Sequence, residues 1–161
     1  MTPLRFVRVS SLLLAPRMAQ GWAQQVVSLL DPDIRQLDTP QFNVARNEHH
    51  TEYMFDEEQS RTFSKLAPSY AAIVRILNFV RHDTRVLVHC HAGMSHSPSI
   101  AMILLIARGY PATEAVKFIL AQNLYNNEGS YMEPNELILR HADRRLGLGD
   151  SLVSLVRKEM R

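Results

Sequence analysis

The stretch RVLVHCHAGMSHSPSIAMILLI, Arg85 to Ile106, decides the reading of this chain. An apolar run stops at His89-Cys90, a short loop of small and polar residues follows, and a second apolar run begins after Pro98. RVLVHC reads as a strand covered on both faces, because apolar residues follow one another without alternation. Pro98 to Arg108 reads as a helix, with proline in its first turn and Gly109 just past its end as the stop. A strand, a tight loop and a helix in that order aim backbone N–H groups into one concavity at the positive end of the helix dipole, which suits a tetrahedral anion. Cys90, the only cysteine in the chain, would sit on the floor of that concavity as a nucleophile toward phosphorus. Gly93 lets the backbone turn back over the anion. The Ser97 hydroxyl is placed to hydrogen-bond the thiolate and help it leave a covalent intermediate.

The pattern around this stretch sets the fold class. Phe6 to Leu12 is a first strand candidate; an acid-poor, arginine-bearing start can also be a transit peptide, but the apolar run is short and Arg17 follows it closely. QVVSLL, Gln25 to Leu30, reads as a buried strand closed by Asp31-Pro32. HHTEYMF, His49 to Phe55, is a third, with His49-His50 at its surface start. Pro68 to His82 carries Ala72, Ile73, Ile76, Leu77 and Val80 at helical spacing. After Pro98 to Arg108, further helices are expected over Ala112 to Gln122, Pro134 to Leu146 and Ser151 to Met160. Asp31 to Gln41 and Asn123 to Met132 read as loops. Strands alternate with helices in the first half and helices accumulate at the end, so the fold class is α/β, a small mainly parallel sheet flanked by helices.

A chain of 161 residues fits one domain, residues 1–161, with room for a proper core. Its net charge of +2 is too mild for a nucleic-acid binder, yet suits an anionic ligand. A lone cysteine makes no internal disulfide, which fits a reducing cytoplasm. No run approaches the ~18 apolar residues that would suggest a membrane span.

HCHAGMSHSPS, His89 to Ser99, resembles the signature loop of the cysteine-dependent protein tyrosine phosphatase superfamily, H-C-x5-R-[S/T]. It is most similar to the small dual-specificity-like branch, whose loops often read HCxAGxSRSP; His89, Cys90, Ala92, Gly93, Ser95, Ser97 and Pro98 match that pattern. VVSLLDP, the helix before the signature strand, EPNELILRHADRRLG and the closing helix resemble a group of small bacterial tyrosine-phosphatase-like proteins over most of the chain. The resemblance implies a phosphatase fold and a phosphorylated protein or a small phosphoester as ligand, with no cofactor. It implies that His91, Ala92, Gly93, Met94, Ser95 and His96 surround the phosphate, and that His89 orients the loop backbone through a hydrogen bond. It also implies a general acid on a loop before the signature. Asp56 in YMFDEEQ is the first choice and Glu57 the second; such an acid protonates the leaving oxygen and later activates water. A solvated acidic loop is the plainer account of that cluster.

Position 96 departs from the pattern, because the family's arginine is a histidine here. Guanidinium grips two phosphate oxygens with a planar fork. Imidazole is shorter, has at most two donors, and is charged only in part near neutral pH. Losing one transition-state donor typically costs ~3 to 4 kcal/mol. Three functions follow: a phosphatase of reduced activity, a pseudophosphatase that binds without cutting, and sulfur transfer through a persulfide on Cys90, which the loop length fits less well.

Other candidates have plainer explanations. His89, Cys90, His91 and His96 contain metal-ligand chemistry, but neighbours on a strand point to opposite faces and a structural zinc needs four ligands, so no metal is expected. Met94 and Met102 read as packing, and Trp22 as core near the first helix. Pro134-Asn135 reads as a helix start, with Asn135 also a possible pocket residue. Arg140, Arg144 and Arg145 would make a solvated basic face, or supply a cation in place of the missing arginine.

Overall fold

Among the described residues, four short parallel strands form the sheet: β1 (Val7–Ser10), β2 (Gln25–Leu30), β3 (His50–Met54) and β4 (Val86–His89). Their order across the sheet is β1-β4-β2-β3, so the strand that leads into the cysteine loop lies inside, between β1 and β2. The computed structural model describes residues 6–30, 50–54, 68–90, 95–126 and 132–161, with the backbone alone at 50–54 and 123–126. Six helices are described: α1 (Ala15–Ala19), α2 (Tyr70–Phe79), α3 (His96–Ala107), α4 (Ala112–Asn126), α5 (Glu136–Leu146) and α6 (Leu152–Glu159).

The register explains why these runs became strands. Val9, Val88 and Val27 line up across β1, β4 and β2, and all three are fully buried. β-Branched side chains fit such a pleated surface covered on both sides. They belong to the main core with Ile100, Ile103, Ile119 and Leu139 of the helices. Residues one step along point the other way: Leu87 and Val26 pack in a smaller cluster with Ala15 and Ala19 of α1. The larger face is covered by α3, which packs on β1, β4, α4 and α5. Every residue of α3 from His96 to Leu105 is buried, as expected of a central helix that is apolar on all sides.

Helix ends follow from local chemistry. Ser69 caps α2 by accepting from the Ala72 N–H, and Asn135 caps α5 by accepting from the Ile138 N–H. Gly109, at φ 98°, ends α3 as its position in the sequence implied.

Three expectations change. The first strand ends at Ser10, not Leu12; the Ser11 carbonyl and hydroxyl accept from the Ala15 and Leu14 N–H groups and turn the chain into α1, leaving Leu13 88% exposed. The fourth helix runs on to Asn126, so 123–126 are helical rather than loop, since no Gly or Pro interrupts them. The helix after the loop begins at His96, two residues before Pro98, which the first turn tolerates because its N–H groups have no intrahelical acceptor. The expected loop over Asp31 to Gln41 lies outside the described residues.

Candidate active site

The chain alternation at the end of β4 sends two neighbouring side chains to opposite faces. Cys90 shares the main core with Val88 and is fully buried. Across the loop, Ser97 stands in the first turn of α3, and its Oγ lies 3.1 Å from Cys90 Sγ. With sulfur as thiolate the hydroxyl is the donor, since an anion only accepts. The two ends of an eight-residue motif therefore close on each other through their side chains.

His89 takes the other side, in the same row as Ser10 and Ser28. All three are fully buried. Ser28 Oγ lies 2.6 Å from His89 Nε2, and His89 Nδ1 is 3.4 Å from the Cys90 carbonyl oxygen. A carbonyl only accepts, so Nδ1–H donates to it. This contact reaches the backbone of the cysteine itself.

The far end of the loop is tied as well. The Ser95 carbonyl accepts from the Ser99 hydroxyl at 2.9 Å and from the Asn135 N–H at 3.3 Å. The Asn135 N–H also meets Ser99 Oγ at 2.6 Å. Ser99 and Asn135 join the end of the loop to the start of α5, an arrangement the sequence reading did not find for Ser99. Its signal was the four-residue spacing from Ser95, where a serine hydroxyl reaches back to a carbonyl. Asn135 does cap a helix, and its side-chain oxygen is committed to Ile138. Ser28 was missed too; the clue was a lone serine inside the apolar run QVVSLL.

His96 opens α3 and is 1% exposed, so its ring is enclosed. His91, Ala92, Gly93 and Met94 lie outside the described residues, as do Asp56 and Glu57. Met102 is fully buried in the core, as packing requires. Trp22 is half-buried against the small cluster, with the Arg8 guanidinium 4.1 Å over its ring. Of the arginines considered as substitutes, Arg140 pairs with Glu136 at 3.5 Å, Arg144 sits 4.8 Å over the Tyr70 ring, and Arg145 is exposed. Among the described residues, no three His, Cys, Asp or Glu side chains are grouped to share a metal ion, and no helix is long and apolar enough to cross a membrane.

No protein-family model matches the sequence, and no curated protein matches it. Solved structures do match. The chain is similar to Cydia pomonella PTP-2 phosphatase, with 16% identity and a TM-score of 0.60 over 89% of this chain and 87% of that one. It is similar to the human tyrosine phosphatase-like serine/threonine/tyrosine-interacting protein, with 11% identity and a TM-score of 0.57 over 91% and 95% of the two chains. A third match is DUSP15, with 16% identity and a TM-score of 0.55 over 99% of this chain and 93% of that one. The α/β sheet, its helices and these likenesses together establish that the chain has the fold of the protein tyrosine and dual-specificity phosphatases.

Proposed function

We propose that this chain is a cysteine-dependent phosphomonoester hydrolase of the tyrosine-phosphatase type, acting on phosphotyrosine in a protein or on a related small phosphoester. The observation that carries the reading is the 3.1 Å approach of Cys90 Sγ to Ser97 Oγ across the loop. Cys90 attacks phosphorus and forms a cysteinyl-phosphate while the leaving oxygen takes a proton from Asp56, or from Glu57 beside it. Water then attacks the intermediate, the S–P bond breaks, and Ser97 donates to the departing thiolate. The N–H groups from His91 to His96 hold the phosphate oxygens. The lone cysteine fits a reducing, cytoplasmic setting.

His96 governs the rate. A positive ring at a helix N-terminus and out of solvent is disfavoured until an anion shares the site. A bound phosphate dianion supplies that anion, so imidazolium can hold oxygen where guanidinium is absent, but with one donor fewer. The same substitution favours the second reading, a pseudophosphatase that binds a phosphorylated ligand without cutting it. One structural neighbour is itself described as a phosphatase-like interacting protein.

The test is hydrolysis of a phosphotyrosine peptide and an aryl phosphate between about pH 5 and 8, the range in which histidine changes charge, with Cys90→Ser as the blank. Turnover that disappears in the blank and rises toward acid is the expected result. No turnover above the blank, with inorganic phosphate still bound, moves the assignment to the binding protein.

A further inference from the structure

We propose that Ser28, on the neighbouring strand β2, is a positioning residue for Cys90, acting through the His89 ring. The proposal rests on the assignment of Cys90 as the nucleophile and goes beyond it by naming what fixes the tautomer behind the loop. Ser28 and His89 are register partners across the β2–β4 pair, so their side chains leave the sheet side by side on one face. Both are fully buried. The row that contains them is polar, Ser10-His89-Ser28, directly after the apolar row Val9-Val88-Val27. A polar row in a buried sheet is costly unless its groups are hydrogen-bonded; Ser10 donates to the Ser11 carbonyl, and Ser28 meets His89.

Two contacts of the ring constrain one another. Nδ1 faces the Cys90 carbonyl at 3.4 Å, which can only accept, so the proton is on Nδ1. With the ring neutral, Nε2 carries a lone pair, and Ser28 Oγ–H, 2.6 Å away, is the donor to it. A hydroxyl can serve either tautomer; joined to the carbonyl constraint, it selects the one that keeps Nδ1–H on the cysteine backbone. The short contact stops the ring from turning, and the ring in turn holds the carbonyl at the point where strand becomes loop. Cys90 Sγ belongs to the same residue as that carbonyl, so its 3.1 Å approach to Ser97 depends on the peptide plane being held. A hydrogen-bond partner that orients a histidine in this way is typically worth 10- to 100-fold in function, by analogy with the histidines of metal sites.

Two-bond 1H–15N correlation spectra of the full chain report the His89 tautomer directly. The expected wild-type pattern is a protonated Nδ1 and a bare Nε2. Ser28→Ala should shift the ring toward the Nε2–H form and lower turnover of an aryl phosphate about ten-fold, chiefly in kcat, while Ser28→Thr, which keeps the hydroxyl, should retain both. A wild-type ring protonated on Nε2 overturns the proposal without any variant, so it does not depend on Ser28→Ala folding. A folded Ser28→Ala with the wild-type tautomer and undiminished kcat overturns it as well. Absence of turnover in the wild type sinks the phosphatase reading instead, and leaves the tautomer and its shift in Ser28→Ala as the measure of this one.

Discussion

The two ends of the sheet treat buried polar groups in opposite ways, although only three positions of β2 separate them. At the amino end, Gln25 is fully buried and its amide is spent on structure. Its Nε2 donates to the Phe79 carbonyl at 3.0 Å, and its Oε1 accepts from the Arg81 N–H at 2.8 Å and the Thr84 hydroxyl at 2.7 Å. One side chain thereby closes the turn between α2 and β4. At the carboxyl end, Ser28, His89, Cys90 and Ser97 are equally buried but bond through groups whose protons can change sides. An amide fixes a shape; hydroxyl, imidazole and thiol groups can also give up or take a proton or hold an anion. The comparison teaches that burial alone does not mark a site. The chemistry of the buried groups does.

The comparison can be broken from either end. The largest change is expected from His96→Arg, which restores a forked donor and should raise turnover about 100-fold, the size of one transition-state donor; kcat on an aryl phosphate measures it, and an unchanged kcat removes position 96 from the oxygen-holding set. Gln25→Ala takes their partner from the part-buried Phe79 carbonyl and Arg81 N–H, and each such lost bond costs about 1 to 1.5 kcal/mol. Stability to urea should fall by about 3 kcal/mol, with kcat per folded molecule intact; a lost kcat at preserved stability would erase the contrast between the ends.

The smallest effect lies away from both, on α5. Burial holds His141 below the usual histidine range, and the Arg144 charge pushes it the same way, although the hydrogen bond from its Nε2 to the Pro68 carbonyl opposes this. A depressed value means that the unfolded chain takes up a proton first. Stability is then full above the unfolded value of about 6.5 and declines as pH falls through the folded one. Urea midpoints at pH 8 and pH 5 should differ less in His141→Gln than in the wild type.

The legible parts of this molecule were those where a single stretch held the whole signal. β2, β4 and α3 were read from continuous apolar runs with polar ends, and the facing of Cys90 and Ser97 from the motif that holds both. α1 was not legible, because five residues are too few to show a helical period, and Leu12 to Leu14 look like more strand until the Ser11 turn is seen. Ser28 was hidden for a different reason. It stands 61 positions before His89, and only the sheet order, with β2 beside β4, brings the two together. The tie from Ser95 to Asn135 is equally long-range. Propensity and spacing describe a neighbourhood along the chain, whereas these contacts belong to the topology.

That topology also has a consequence for how the molecule is made. β1 pairs only with β4 among the described strands, Val7 against Val86. During synthesis the first strand emerges from the ribosome long before its partner exists, and β2 waits with one edge open for the same strand. Unpaired edges invite the wrong partner, and pairings so distant along the chain form slowly. The strand that leads into the cysteine is therefore also the one that joins β1 to β2: a nascent chain gains its candidate nucleophile and covers two facing strand edges in one event.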